Sequence, residues 1–166
     1  YENNIYLLSE IFQKENWIEV NKHSDSLVVY KKKLDNIPIP AFKATMKTSV
    51  PMEYIISAIL DGDNHEKFMK SSHVIESEFV GPVLDDTTFI YQMLDLPIIS
   101  DRHYITKNFI DIVIPNNHYR LNWMIDDSLN QSIFSDLIKE KNTKYNKPIF
   151  MKDGVGSWEL QLLEGN

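Results

Sequence analysis

One arginine in this chain stands where sheet chemistry alone does not call for it. The run Thr87–Leu94 alternates apolar and polar residues, Asp95-Leu96-Pro97 breaks it, and Asp101-Arg102-His103-Tyr104 opens a second strand. A guanidinium is always charged and carries five donors in a planar fork. Beside apolar surroundings it suits a phosphate, a carboxylate or a water-bridged hydroxyl. The competing reading is structural: Arg102 could bridge the rim of the sheet to Asp101 or Asp95 and meet no ligand.

No other residues promise chemistry as directly. The five histidines (His23, His65, His73, His103 and His118) are scattered without metal-ligand spacing, so no metal site is expected. Asp61, Asp63 and Asn64 resemble the start of a calcium loop, but the later Glu is missing and a helix-ending loop is the better reading. The absence of cysteine excludes disulfides, thiolate metal sites and a cysteine nucleophile. No His–acid pair is forced to meet, so neither catalysis nor a cofactor is expected. An enzyme or ligand sensor would instead bring titratable groups together, for example Arg102 with His118 or Asp111.

Composition narrows the partner. A 166-residue chain with a net charge of −7 is expected to form one domain, a monomer that binds neither nucleic acid nor membrane through a basic surface. Lys31, Lys32 and Lys33 form the only basic run, and strand alternation sends them to both faces. No apolar run reaches the ~20 residues of a transmembrane helix, so a soluble protein is expected. The first residue is Tyr. Export after loss of a signal is compatible with that, and the compartment is left open.

The elements that must position these residues follow from periodicity. Asn3 to about Lys14 is expected to be an amphipathic helix, with Trp17–Asn21 and Leu27–Tyr30 as strands around a turn at Ser24-Asp25-Ser26. Ala41 to about Val50 alternates, placing Phe42, Ala44, Met46 and Thr48 on one face. Pro51 and Glu53 suit a helix start, and Ile55, Ile56, Ile59 and Leu60 give that helix an apolar side. A weaker helical turn is expected over His65–Met69. Strands follow at Val74–Val80, Thr87–Leu94, Tyr104–Ile114 and His118–Ile125, with turns at Gly81-Pro82 and Pro115-Asn116-Asn117. The polar stretch 127–147 reads as an insertion with one helical hint at Ser132–Ile138. Ile149-Phe150-Met151, a turn near Gly154 and Gly156, and Ser157–Leu163 complete the strands. The class is α+β, an antiparallel sheet that covers one face with a helix and encloses volume if it curves.

This order of elements resembles the START lipid-transfer domains of the helix-grip superfamily. The residues that carry the resemblance are Trp17, Leu27-Val28-Val29-Tyr30, Ala41-Phe42-Lys43-Ala44, Val50-Pro51-Met52-Glu53, Leu60-Asp61, Tyr91–Pro97 with Ser100–Tyr104, and Gly156-Ser157-Trp158-Glu159-Leu160. Each is weakly specific alone, and together they span most of the chain in the right order. His103 and Phe68 depart from the family pattern, which has an acid and commonly a Trp there. The family's closing strand and C-terminal lid helix are expected to be missing.

The resemblance implies a curved antiparallel sheet around a long helix, with an internal apolar cavity. The function it implies is non-enzymatic carriage of one lipid (phospholipid, sterol or fatty acid), exchanged during transient membrane contact. The alternative is a cyclase- or hydrolase-like enzyme, or a ligand sensor, on the same fold. The expected wall comprises Phe89, Tyr91 and Met93 on one strand face, Leu121 and Trp123 on another, and Phe42, Met46, Asn108 and Trp158. Some family members carry a carboxylate facing the arginine, and the corresponding residue here is Met93, so Arg102 is expected at the wall or mouth of the cavity opposite Met93, bound to a ligand headgroup or water. Ile98 and Ile99 are expected in a membrane-contact loop.

Overall fold

A computed structural model describes residues 2–24, 27–81, 87–114 and 117–163. The turns expected around Asp25-Ser26, at Pro82 and at Pro115-Asn116 lie outside the described residues. The chain forms two compact units, Glu2–Pro51 and Met52–Asn166.

The first unit holds helix α1 (Glu2–Phe12) and an antiparallel sheet of β1 (Ile18–Ser24), β2 (Leu27–Lys32) and β3 (Ala41–Met46), in that order. Lys32 is almost fully buried because its ammonium donates to the Glu10 carbonyl at 2.7 Å and lies 3.6 Å from the Glu10 carboxylate. β3 ends at Met46, short of the expected Val50. Phe42 and Met46 share a face as expected, yet each is 65% exposed. Alternation tells which residues share a face, not which face is covered.

The second unit begins with α2 (Met52–Leu60), nine residues long, followed by a 3₁₀ turn at Gly62–Asn64, the one-turn α3 (His65–Phe68) and a second 3₁₀ turn at Lys70–Ser72. Its sheet contains β4 (Val74–Phe79), β5 (Thr87–Leu94), β6 (Arg102–Ile114), β7 (His118–Asp126) and β9 (Asp153–Gln161), antiparallel in that spatial order. The short β8 (Ile149–Phe150) adds to β6 in parallel.

The expected insertion is helical rather than open. It forms α4 (Asp127–Ile133) and α5 (Ser135–Lys144). Phe134, Ile138 and Lys141 recur at i, i+4 and i+7 and are all buried, so the stripe that docks the segment includes a lysine. Phe134 and Ile138 join Val80, Phe89, Tyr91, Met93 and Ile105 in the main core. Burying each large apolar side chain there contributes roughly 1.5–3 kcal/mol.

Gly154 and Gly156 do not turn the chain. Both lie inside β9, paired with Ile125 and Trp123. A Cβ on Gly156 would overlap the Trp123 indole, so the glycine lets that ring lie across the neighbouring strand. Gly62 has the same role towards β5, where an added Cβ would stand 2.8 Å from Ile90 Cγ1. Gly156→Ala is expected to destabilise the protein by about 1–3 kcal/mol through overpacking against Trp123. Urea denaturation followed by tryptophan fluorescence checks this; an unchanged midpoint would contradict it.

Candidate functional site

β5 is buried on both faces, and the two faces differ. On one side Phe89, Tyr91 and Met93 pack against Phe134 and α5. On the other, Ile90 and Gln92 face a cavity of about 330 Å³. β6 contributes Tyr104, Thr106 and Asn108, β7 Leu121 and Trp123, and β9 Trp158. Ile55, Ala58 and Ile59 of α2 form the opposite wall, with His65, Phe68 and Met69 from the turns that follow. None of these described lining residues is Asp, Glu, Lys or Arg.

Cross-strand register explains the wall. Gln92 pairs with Tyr104, Ile90 with Thr106 and Thr88 with Asn108. Asn108 continues to Trp123, and Trp123 to Gly156. Opposite residues on one face lie close enough to bond. The Tyr104 hydroxyl donates to Gln92 Oε1 at 2.6 Å. The Gln92 amide nitrogen lies 2.8 Å from His65 Nδ1, and His65 Nε2 lies 3.0 Å from the Ile59 carbonyl. A carbonyl can only accept, so His65 donates through Nε2 and accepts from Gln92 through Nδ1. That chain ties the end of α2 to β5 and β6. Burial pushes the Tyr104 phenol up to about 12, so it stays protonated and keeps donating. Deeper along the wall, the Asn108 amide donates to Thr106 Oγ1 at 3.0 Å and to the Thr88 carbonyl at 3.3 Å.

The sequence-derived wall is thus half displaced. Asn108, Leu121, Trp123 and Trp158 line the cavity. Phe89, Tyr91 and Met93 do not: they point to the other face and form the core. Their size and apolarity suggested a wall, but they pack on Phe134 and α5, a helix the polar sequence had concealed. Ile90, Gln92, His65, Tyr104 and Thr106 were not expected. The signal for the two β5 residues was a strand whose two residue sets are both too poor in charge to face water. Phe42 and Met46 belong to β3 of the first unit, whereas every residue of this cavity belongs to the second.

Arg102 does not project into the cavity. It pairs with Leu94, while His103 stands opposite Met93. Its guanidinium turns back to donate to the carbonyls of Ser100 and Asp101. It meets neither His118, which lies 2.7 Å from Glu159, nor Asp111, which accepts from Arg120 Nε at 2.8 Å. The charge is satisfied by its own loop. In that loop Ile98 is fully exposed at φ 80°, and Ile99 is also exposed. A β-branched residue in the left-handed region is strained.

Behind the cavity wall the other face carries an ionic cluster. Lys141 of α5 is buried, bonds Glu76 at 3.0 Å, pairs with Glu78, and sits 5.0 Å over the Tyr91 ring. Lys144 reaches Glu76 at 2.9 Å, and the Tyr145 hydroxyl donates to it. Burial alone would raise the Glu76 carboxyl; the hydrogen bonds from Lys144, Tyr145 and Lys141 overcome this and hold it down at about 2. His103 has no solvent exposure and packs edge-on against Tyr91 and Phe150. Burial pulls it down to about 4, opposed in part by Asn142.

No protein-family model matches the sequence, and no curated protein matches it. Solved structures do resemble the fold. The STAR-related lipid transfer protein from Xanthomonas axonopodis superposes with a TM-score of 0.66 at 12% identity, over 87% of this chain and 73% of that one. The chain has a START fold. Human STARD10 gives 0.59 at 16% identity, over 75% of this chain and 50% of that one. The human StarD13 (DLC2) lipid transfer and protein localization domain gives 0.54 at 15%, over 75% and 63%. The chain therefore spans half of STARD10 and under two thirds of the StarD13 domain. The START resemblance drawn from the sequence is borne out as a fold. Among the described residues, no helix is long and apolar enough to cross a membrane.

The buried histidine gives the second test. A folded value of about 4 lies below the usual 6.5, so His103 supports folding fully above pH 6.5. That support is lost progressively as pH falls from 6.5 towards 4, because the unfolded chain takes up the proton first. His103→Phe is expected to flatten the stability profile over that window in chemical denaturation at stepped pH. A variant that keeps the wild-type slope would contradict the assignment.

Proposed function

We propose that this START fold is a non-enzymatic lipid carrier that holds one apolar molecule between α2 and the cavity face of the sheet. The observation that carries the reading is the wall itself: an apolar lining without a charged side chain, in which Phe68 and Trp158 stay 51% and 46% exposed. Apolar side chains left open around a concavity mark a ligand site more often than a packing defect. Each methylene transferred from water into such a site contributes roughly 0.8 kcal/mol, enough for one alkyl chain to be held firmly. The solved relatives named as lipid transfer proteins support the same reading.

Exchange would take place at a membrane through the Ile98-Ile99 loop, whose two apolar side chains are exposed. With a net charge of −7, that contact is apolar rather than electrostatic. Native mass spectrometry of freshly purified protein is expected to show one bound lipid, and the protein should extract lipid from vesicles. Ile98→Asp is expected to slow vesicle-to-vesicle transfer severalfold without changing lipid affinity. A protein that is empty on purification and extracts nothing would overturn the carrier reading. Unchanged transfer by Ile98→Asp would overturn only the loop's part in it.

A further inference from the structure

We infer that the cavity selects a neutral lipid carrying a hydroxyl group, and that Gln92 and Tyr104 read that group. The inference rests on the carrier reading and specifies its cargo.

The hydrogen-bond inventory of the wall leads there. Gln92 is 7% exposed, and both ends of its amide are engaged: the oxygen by Tyr104 and one N–H by His65. An amide nitrogen has two hydrogens, so one donor is left over. The Tyr104 hydroxyl donates its only proton to Gln92, which leaves its oxygen as an acceptor. The two residues face each other across β5 and β6, so donor and acceptor sit side by side on the cavity wall. The order is fixed from outside the pair. The Ile59 carbonyl can only accept, which sets the His65 ring, which in turn sets the Gln92 amide.

A hydroxyl matches this pair because it accepts and donates at once. An ether or ester accepts only, and an alkyl end does neither. An ionised carboxylate or phosphate would lose its hydration among lining residues that carry no cation, since Arg102 is turned to the Ser100 and Asp101 carbonyls. Ligands that leave the Gln92 donor or the Tyr104 acceptor buried and unmet are penalised for the same reason.

The test is equilibrium partition of radiolabelled probes between protein and cyclodextrin. Four probes are compared: hexadecan-1-ol, its methyl ether, heptadecane and palmitate above pH 8. The alcohol is expected to bind about tenfold or more tightly than each of the others. Gln92→Leu is expected to remove the preference for alcohol over ether while keeping heptadecane affinity. If Gln92→Leu does not fold, Gln92→Met combined with Tyr104→Phe carries the same expectation, whereas Tyr104→Phe alone would free the Gln92 oxygen as a replacement acceptor. Palmitate binding best, or the ether equalling the alcohol, would overturn this inference and leave the carrier reading standing. Binding of none of the four would overturn both. A preference that survives both substitutions would overturn the assignment to Gln92 and Tyr104.

Discussion

β5 is covered on both of its faces, by the core on one and by the walls of a cavity on the other, and the alternation of a strand sorts its residues into two chemistries. Phe89, Tyr91 and Met93 anchor the core under Phe134 and α5, while Ile90 and Gln92 reach the cavity. The rest of the second unit is arranged around that division. β6 repeats it, with His103 and Ile105 on the core side and Tyr104, Thr106 and Asn108 on the cavity side. A slip of one residue between these strands would exchange the faces, sending Gln92 into the aromatic core and Met93 into the cavity.

The core face fixes that register with more than apolar contact. Lys141 is withdrawn from water, a large penalty met only because Glu76 and Glu78 of β4 approach its ammonium and Tyr91 offers its ring. Such a cluster adds little net stability compared with a well-packed apolar alternative, but removing one partner leaves a buried charge unmet. It specifies where α5 sits. The sheet can thus leave its other face open as a cavity, because its packed apolar core lies on the opposite side.

How much of this was legible in the sequence depended on the kind of signal. Strand alternation located β4 to β7 of the larger sheet but began β9 too late, at Ser157 rather than Asp153, and the order of motifs from Trp17 to Trp158 was enough to suggest the fold matched by solved structures. The orientation of a doubly buried strand was not legible. Phe89-Tyr91-Met93 looks more like a cavity wall than Ile90-Gln92, and only the covering helices decide between them. Those helices were hidden in turn because their docking stripe ends in Lys141, which a hydropathy pattern counts as surface. Arg102 misled for a related reason: sequence shows a charge near an apolar strand, but not that two carbonyls of its own loop will satisfy it. The His65–Gln92–Tyr104 chain joins residues far apart in sequence, and no local pattern announces it.

The central claim is that an apolar ligand occupies the space between α2 and the β5–β6–β7–β9 face. Photo-crosslinking with a diazirine-bearing hexadecanol, followed by peptide mapping, tests it most directly. The account predicts saturable labelling confined to peptides containing Ile55 to Met69, Trp123 and Trp158, abolished by excess unlabelled hexadecanol. Saturable labelling of α5, or of the exposed Val113-Ile114 end of β6, would contradict it.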